Sequence, residues 1–262
     1  MRVGLIGFGV IGRGVARAIA AGAAGDAELV AILVRDPAKI EPSLDAAPLL
    51  TDIAAMISIH PDVVVEVAGH AALRQYAEAV LRCGIDLITV SVGVFADADF
   101  TEWIAETARQ HGARVQIPSG AIAGLDAIGS AALADVDVVT HTVRKHPRAF
   151  TPEQLASAPP AEGPRLLYEG PARTGVRLFP DNVNVAAAVS LAGIGLDRTL
   201  LRVYADPSVD RNVHEVRLRG DVGEIEIIMR NTPSANPRTG RIVALSVAKA
   251  LRDRQAALII GS

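Results

Sequence analysis

The sequence predicts an α/β protein with a doubly wound parallel sheet in its N-terminal part and a second, α+β domain after it. Short apolar strands alternate with segments of helical period up to about residue 120. Beyond about residue 125 the alternation becomes irregular, and stretches such as Val136 to Arg144 carry one polar face. We therefore place the first domain at residues 1–120 and the second at 121–240, with the last helix, within 241–262, packing back on the first.

The N-terminal stretch predicts a strand, a tight turn and a helix. Gly7, Gly9 and Gly12 match G-x-G-x-x-G. In this pattern the first glycine allows the turn, the second lets the backbone approach a pyrophosphate, and the third lets helix and strand pack closely. Amides that open the helix, at Val10 and Ile11, would hold the phosphates. A glycine-rich turn without a ligand is the alternative, but the pattern favours a Rossmann-type domain that binds NAD or NADP.

The second strand, Glu28 to Val34, ends where such domains choose their cofactor. An acidic side chain there hydrogen-bonds the ribose 2′-OH of NAD, whereas an arginine accommodates the 2′-phosphate of NADP. An inward Asp36 would favour NAD, an inward Arg35 with Lys39 nearby would favour NADP, and Arg35 could also be a solvated loop charge. The sequence does not decide between NAD and NADP. We expect the reaction rate with NADP to lie within about tenfold of the rate with NAD.

A buried central strand is predicted from Val63 to Ala68, because this run is almost continuously apolar and β-branched. It ends at Gly69 and His70. Strand ends on this edge of a doubly wound sheet border the cofactor crevice, so Ala68 is expected to line the nicotinamide side. We interpret His70 as an N-cap or loop histidine.

Three further segments carry specific expectations. Leu49 to Ile59 is expected to be one short helix capped by Thr51 or Asp52. Cys83 is expected to be buried near the end of a helix. Residues 147–175, rich in Pro, Ala, Gly and Glu, are expected to form an excursion with one short helix and no strong strand, suited to a lid or a subunit contact.

Composition limits the classes of function. The chain has 262 residues, 50% of them hydrophobic, and can bury a large core. Its net charge of −3, without a dense block of Lys and Arg, argues against nucleic acid as a partner. A single cysteine fits a reducing cytoplasm, and the sequence has no apolar run of the length that crosses a membrane. We expect a cytoplasmic protein with a small-molecule ligand.

Six stretches of the sequence together resemble one enzyme family, the short L-aspartate dehydrogenases of bacteria and archaea. They are GFGVIG at 7–12, PSGAIAGLDAI at 118–128, TVRKHP at 142–147, FPDNVNVAAA at 179–188, ADPSVDRNVHEV at 205–216 and NTPSANPRTG at 231–240. The resemblance implies reversible, NAD(P)-dependent oxidative deamination of L-aspartate to iminoaspartate. Iminoaspartate either hydrolyses to oxaloacetate and ammonia or is passed towards quinolinate in NAD synthesis.

The resemblance also implies roles for individual residues. His214 matches the family's catalytic histidine, while Ala121 and Asn184 match its nicotinamide-side contacts. Two positions depart from the family pattern. Val34 stands where many relatives have an acid, and His146 where a proline is common.

The same residues suit the chemistry of amine oxidation, which needs a base for the ammonium proton and cations for the carboxylates. His214 is the candidate base, with Glu215 or a backbone carbonyl fixing its tautomer. For the carboxylates we rank Lys145 before Arg144 and Arg238, and we add Ser119 and Asn212 as substrate-binding candidates. The histidines have no metal-binding spacing, so no metal is expected.

Two other functions remain possible from the sequence. One is an imine or aldehyde reductase related to dihydrodipicolinate reductase or homoserine dehydrogenase, and the other is a non-catalytic dinucleotide-binding sensor. The apolar second domain, poor in aromatic residues, and the excursion at 147–175 also suggest a surface covered by self-association. Because soluble oligomers are most often two-fold symmetric, we expect a homodimer whose contacts lie in the substrate-binding and dimerisation domain at 121–240.

Overall fold

The computed structural model describes residues 1–40, 47–159, 162–180, 184–232 and 240–261. The chain forms two compact units, one from Met1–Gly120 with Val243–Ile260 and the other from Ala121–Ile242 with the last two residues. Among the described residues, no helix has the length and apolar character needed to span a membrane. The predicted fold class is confirmed, because a parallel sheet with helices is followed by a second, mixed sheet.

A parallel six-stranded sheet forms the first unit. Its strands are β1 (Arg2–Ile6), β2 (Glu28–Leu33), β3 (Leu49–Leu50), β4 (Val63–Glu66), β5 (Asp86–Thr89) and β6 (Val115–Gln116). The spatial order is β3-β2-β1-β4-β5-β6, so the chain winds outward in one direction from β1 and in the other from β4. The carboxyl ends of β1 and β4 therefore mark the switch point at which doubly wound sheets bind ligands.

The α-helices between these strands, in the part of the chain that the structure describes, are α1 (Val10–Ala20), α2 (Ile53–Ser58), α3 (His70–Arg82) and α4 (Ala98–Gln110). Local chemistry sets their ends. The Asp97 side chain accepts a hydrogen bond from the Phe100 amide at 3.2 Å and caps α4. Gly84 and Gly112, directly after the C-caps of α3 and α4, have φ of +70° and +68°, a conformation that favours glycine.

A five-stranded mixed sheet forms the second unit. Its strands are β7 (Val136–Lys145), β8 (Arg165–Pro171), β9 (Leu200–Ala205), β10 (Asn212–Gly220) and β11 (Gly223–Asn231). They lie in the order β11-β10-β7-β9-β8. The pair β7 and β9 is parallel and the other pairs are antiparallel.

Helices cover one face of this sheet. They include α5 (Leu125–Ala131), α7 (Ala172–Leu178) and α8 (Asn184–Ala192), while α6 (Pro152–Ala156) lies between β7 and β8 in the chain. Apolar side chains of α5 and α8 pack with inward-facing residues of β7 and β10. The buried members of this cluster include Ile128, Val139, Val185, Val189, Val216 and Leu218. Side chains on the other face alternate with these, as the period of two along a strand requires.

The last helix, α9 (Ile242–Asp253), belongs to the core of the first unit. Its Val247 and Leu251 are buried in one cluster with Val15 and Ile19 of α1. A Cβ atom placed on Gly14 of α1 would lie 2.7 Å from the Ala244 Cβ, so the absence of a side chain allows the two helices to approach closely.

The excursion at 147–175 differs from expectation. It contains β8, a strand of seven residues, with α6 before it and the start of α7 after it. Among the described strands, β8 lies at the edge of its sheet and pairs with β9. Because an edge strand leaves one side of its backbone unpaired, Gly170 and Pro171 are tolerated at its end, and this composition hid the strand.

Two smaller expectations also need correction. Leu49–Leu50 forms the short strand β3 beside Ile32 and Leu33, and the helix begins only at Ile53, where the Asp52 side chain accepts from the Ala54 amide at 3.1 Å. Cys83 is exposed, because it lies at the C-cap of α3 on the side that faces solvent.

Candidate active site

The turn after β1 brings three of the predicted residues together. Gly7 has φ of +96°, and its amide donates to the Leu33 carbonyl at 2.9 Å. A Cβ atom on Gly7 would lie 2.7 Å from the Ala68 Cβ, and one on Gly12 would lie 2.2 Å from the Gly7 carbonyl oxygen. No side chain fits at either position, so the end of β4, the turn and the start of α1 form one tightly packed corner.

Gly9 is different from these two glycines. It is the N-cap of α1 with φ of −76°, and a Cβ atom placed there would have no heavy atom within 4 Å. No side chain caps this helix end, and Val10 beside it is 43% exposed. The first amides of α1, including that of Ile11, are therefore open to a ligand, and the open space at Gly9 fits a dinucleotide pyrophosphate.

The end of β2 leaves the cofactor choice open. Arg35 is exposed. Asp36 caps its own turn, because its carboxylate accepts from the Ala38 amide at 3.1 Å and lies 3.3 Å from the Lys39 ammonium group. This carboxylate is thus held by local contacts, and Val34 supplies no acid in its place.

A buried carboxylate at the end of β4 escaped the sequence reasoning. Glu66 is fully buried, and one of its oxygens accepts from the Ala68 and Gly69 amides at 2.7 and 2.8 Å. The other accepts from the Thr89 hydroxyl at 2.6 Å. Burial raises the pKa of Glu66, while its hydrogen bonds, that from Thr89 foremost, act in the opposite direction. Glu66 thus holds the strand end that carries Ala68. The sequence feature that could have revealed this role is a single acidic residue within the apolar run VVVEVA at 63–68.

In the second unit, the period of two places Asn212 and His214 on the helix-covered face of β10. His214 lies opposite Val143 of β7, so Lys145 and His141, two residues to either side of Val143, share this face. All four polar side chains are buried. The sheet therefore brings three predicted residues together and adds His141, which was not predicted as a site residue.

The two histidines form a close pair. His141 Nε2 lies 3.2 Å from His214 Nδ1, and the rings are nearly parallel at 16°, with centroids 5.4 Å apart. Burial, followed by the positive charge of Lys145, lowers the pKa of His141 to about 3. Burial, then His141, then Lys145, lower the pKa of His214 well below its usual value. Both imidazoles are neutral at physiological pH.

Glu215 does not contact His214, contrary to one of the two expectations for the tautomer. As the next residue in β10 it points to the opposite face, where its carboxylate lies 3.4 Å from Arg144 Nε. The Arg144 guanidinium also stacks over the Tyr204 ring at 4.4 Å. Arg144 is therefore engaged away from the histidine pair, and Arg238 lies outside the described residues.

The remaining predicted residues lie near the ends of elements. Ser119 is exposed after β6. The Ala121 carbonyl accepts from Asn231 Nδ2 at 2.6 Å, and Asn184 is the first residue of α8. His70 is the first residue of α3, and Gly69 is its N-cap. Within the described ranges, no group of three or more His, Cys, Asp or Glu side chains is arranged to hold a metal ion.

Comparison with known proteins gives matches along the whole chain. The family model "Aspartate dehydrogenase, C-terminal" matches residues 126–254, and "Homoserine dehydrogenase, NAD binding domain" matches residues 7–118. The L-aspartate dehydrogenase of Ralstonia pickettii (strain 12J) is 40% identical, with 99% of this chain and 100% of the relative covered. That of Methanocella arvoryzae is 38% identical, with 100% and 99% covered.

Solved structures extend these similarities. The aspartate dehydrogenase from Thermotoga maritima has a TM-score of 0.79 at 26% sequence identity, with 100% of this chain and 99% of that chain covered. A hyperthermophilic archaeal homoserine dehydrogenase in complex with NADPH has a TM-score of 0.62 at 12% identity, with 100% and 99% covered. At 12% identity, the similarity to homoserine dehydrogenase is evidence of a shared fold only.

The open space at Gly9 allows a direct test of the dinucleotide site. Gly9→Val should fold normally, since a Cβ atom at this position has no heavy atom within 4 Å. It should raise the Kd for NAD(H) and NADP(H) at least about tenfold, or 1.4 kcal/mol, because the side chain would occupy the space of the pyrophosphate. Titration followed by nicotinamide fluorescence measures both constants.

Gly163→Val is the matched control, because a Cβ atom there also has no neighbour within 4 Å and the position lies in the second unit. It should leave cofactor affinity unchanged. Wild-type affinity in folded Gly9→Val would mean that the turn is only structural.

Because the pKa values of His141 and His214 are lowered, the free energy of unfolding should decrease as the pH falls. A histidine whose pKa falls on folding takes its proton first in the unfolded chain. Its contribution is therefore complete above pH about 6.5 and is lost as the pH falls towards the folded pKa. The loss is about 1.4 kcal/mol per pH unit for each histidine. His141→Leu should therefore reduce the change of unfolding free energy with pH by about 1.4 kcal/mol per pH unit between about pH 6 and pH 4. Urea unfolding followed by circular dichroism at several pH values measures this slope.

His111→Leu provides the matched control, because His111 is exposed at the end of α4. Its slope should equal that of the wild type, so other titrating groups cancel in the comparison. Equal slopes for His141→Leu and the wild type would contradict the buried neutral state of His141.

Proposed function

The chain belongs to the aspartate dehydrogenase family, and we propose that it catalyses the reversible, NAD(P)-dependent oxidative deamination of L-aspartate. The product is iminoaspartate, which hydrolyses to oxaloacetate and ammonia. The observation that carries this proposal is the 40% identity to an L-aspartate dehydrogenase across 99% of the chain. Likeness to homoserine dehydrogenase at 12% identity extends to the fold only, and does not favour the reductase alternative.

The first unit supplies the cofactor site. The turn at Gly7, Gly9 and Gly12, with the amides of Val10 and Ile11, is proposed to hold the pyrophosphate of NAD or NADP. NAD or NADP bound there would supply the acceptor for the hydride that leaves Cα of the substrate. Glu66 keeps the strand end at Ala68 in place through its two amide hydrogen bonds. Arg35, exposed at the tip of β2, is the proposed contact to a 2′-phosphate.

His214 is the proposed base. Aspartate can lose the hydride only after its ammonium group has become a neutral amine, so a base must first take that proton. The lowered pKa of His214 keeps the imidazole neutral and ready to accept it. Loss of the Cα hydrogen with its electron pair then leaves a carbon–nitrogen double bond.

The same imidazole serves the hydrolysis. Once the imidazole has passed the ammonium proton to solvent, water adds to the imine carbon and gives up a proton, which the imidazole returns to nitrogen. The hydroxyl proton then moves to nitrogen in the same way, the carbon–nitrogen bond breaks, and oxaloacetate and ammonia are released. The reverse reaction uses the same groups in the opposite order. One imidazole that takes up a proton and passes it on in each stage is enough for both.

Lys145 and Asn212 are proposed to bind the substrate. Both are buried on the same sheet face as His214, and Lys145 brings a positive charge to it. A buried cation attracts a carboxylate strongly, and amide N–H groups add directional hydrogen bonds. Ser119, on the PSGAI turn, is proposed to contribute a hydroxyl to substrate. Ala121 and Asn184 are proposed contacts to the nicotinamide side of the cofactor.

Replacement of His214 tests the catalytic proposal. A general acid or base typically contributes about 10² to 10⁴ in rate. His214→Ala should therefore lower kcat for aspartate oxidation at least about a hundredfold and leave the cofactor Kd within about threefold. It should also remove the acid limb of the pH profile, which in the wild type lies below pH about 6.5 because the pKa of His214 is lowered. Steady-state formation of NADH or NADPH measures these quantities.

His70→Ala is the control for this experiment, since His70 lies in the first unit at the start of α3. It should have a much smaller effect. A greater loss with His70→Ala, or a His214→Ala enzyme in which only KM for aspartate rises, would make His214 a binding residue and move the base elsewhere. Absence of NAD(P)H formation from aspartate by the wild type would refute the proposed function itself.

We also propose that the protein is a cytoplasmic homodimer. The exposed Cys83 thiol suits a reducing compartment. The face of the second sheet opposite α5 and α8 carries a groove lined by polar and aromatic side chains, among them Arg144, Tyr204, Glu215 and Arg217. Such a face, bearing charges of both signs, can pack on its own copy across a two-fold axis.

Light scattering at micromolar concentration should report the mass of two chains. Ile228, 44% exposed and opposite Glu215 in the sheet, offers a test. Ile228→Glu places two acids side by side and should shift the equilibrium towards monomer, whereas Leu133→Glu, at a position 92% exposed after α5, should not. A monomeric wild type would remove the dimer from the proposal.

A further inference from the structure

Four buried polar side chains share one face of the second sheet: His141, Lys145, Asn212 and His214. Of these four, His141 has no role in the proposed chemistry. It lies on β7, diagonally across the strand pair from His214, and its side chain has no exposed surface. A position at the centre of a sheet face covered by helices is ordinarily filled by an aliphatic side chain. The neighbours along the same face of β7 and β10, Val139 and Val216, are fully buried valines. A histidine here therefore calls for a reason other than packing.

The 3.2 Å contact between His141 Nε2 and His214 Nδ1 leaves room for a single proton between the two nitrogens. If His214 Nδ1 carries that proton, His214 Nε2 has a free lone pair and can act as a base. If His141 Nε2 carries it, the proton of neutral His214 must sit on Nε2, and that edge can no longer accept one. The direction of this one hydrogen bond decides whether His214 can perform its proposed role.

We propose that His141 is a positioning residue that accepts the Nδ1–H of His214, and so fixes the ring orientation and the base-competent tautomer of that residue. The inference rests on the proposed function, in which His214 is the base. His141 does not touch substrate or cofactor in this role. It acts through His214 alone.

The surroundings of His141 support this direction of the hydrogen bond. Burial and the nearby charge of Lys145 keep His141 neutral, so one of its ring nitrogens retains a lone pair, and Nε2 accepts the bond when the proton of His141 is on Nδ1. A charged His141 would donate instead and force the proton of His214 onto Nε2. Lys145 therefore favours the required state of His141 by opposing its protonation.

The other nitrogen of His141 is also informative. Among the described side chains, His141 Nδ1 is a buried polar atom without a hydrogen-bond partner. Burying an unsatisfied donor or acceptor costs free energy that an aliphatic side chain would not. The hydrogen bond to His214 offsets part of this cost. Glu215 cannot do so, because it points to the opposite face and contacts Arg144.

The tautomer can be observed directly. Nitrogen-15 NMR of the histidine-labelled protein distinguishes a protonated from an unprotonated ring nitrogen, and no substrate is needed. In the wild type, His214 should carry its proton on Nδ1 and His141 should accept at Nε2. In His141→Leu, which fills the space without an acceptor, the proton of His214 should no longer be held on Nδ1. In His141→Gln, whose side-chain oxygen can reach the place of Nε2, it should return there.

Kinetics provide the second measurement. His141→Leu should lower kcat for aspartate oxidation at least about tenfold, since loss of the tautomer-fixing partner costs up to about 10⁴-fold in enzymes of the Ser-His-Asp type. KM for aspartate and the cofactor Kd should stay within about threefold, because His141 is assigned no contact with either ligand. His141→Gln should recover most of kcat, and His111→Leu, at an exposed histidine, should match the wild type.

The results separate this inference from the proposed function. A wild-type His214 with its proton on Nε2, or a His141→Gln variant as impaired as His141→Leu, would overturn the role of His141 even if the protein oxidises aspartate. A protein that does not oxidise aspartate would overturn the proposed function, while the NMR experiment would still decide the direction of the hydrogen bond. Should His141→Leu fail to fold, the wild-type and His141→Gln spectra decide alone.

Discussion

The contact between His141 and His214 depends on a geometric constraint that organises the whole second unit. Along β7 and β10, successive side chains alternate between a face covered by α5 and α8 and a face that carries the charged groove. The antiparallel register sets which residues meet on each face. A slip of one residue in this register would send His214 to the groove and Glu215 to the core. The register is stabilised by the valines and leucines that it buries.

Burial on that face determines the protonation state of His141 and His214. In water an imidazole is partly charged near neutral pH, but the buried imidazoles of His141 and His214 are neutral, because the interior solvates a cation poorly. The positive charge of Lys145 lowers the pKa of both histidines further. One buried sheet face thus holds two neutral imidazoles beside a lysine, the arrangement on which the proposed roles of His214 and Lys145 rest.

In the first unit the controlling constraint is the close approach of backbone segments. Gly7 and Gly12 allow the end of β4 and the start of α1 to touch, and Gly9 leaves the helix amides uncovered. Glu66 then ties the loop after β4 to β5 through the hydroxyl of Thr89. Steric and hydrogen-bonding requirements together produce a rigid corner with one open side, which suits a cofactor that must be held in a fixed orientation.

Local patterns in the sequence determined the Rossmann-type sheet, the glycine turn and the Asp52 cap of α2, because strand period, glycine conformation and side-chain caps depend on neighbours within a few residues. The same patterns missed β8, whose glycine and proline are tolerated only because tertiary pairing leaves it at an edge. They also misjudged Glu215 and passed over His141 and Glu66. Which side chains meet across β7 and β10, and which carboxylate is enclosed beside β5, depends on register and burial between segments far apart in the chain. Tertiary structure decided those contacts, because they arise only when distant strands pair and exclude water.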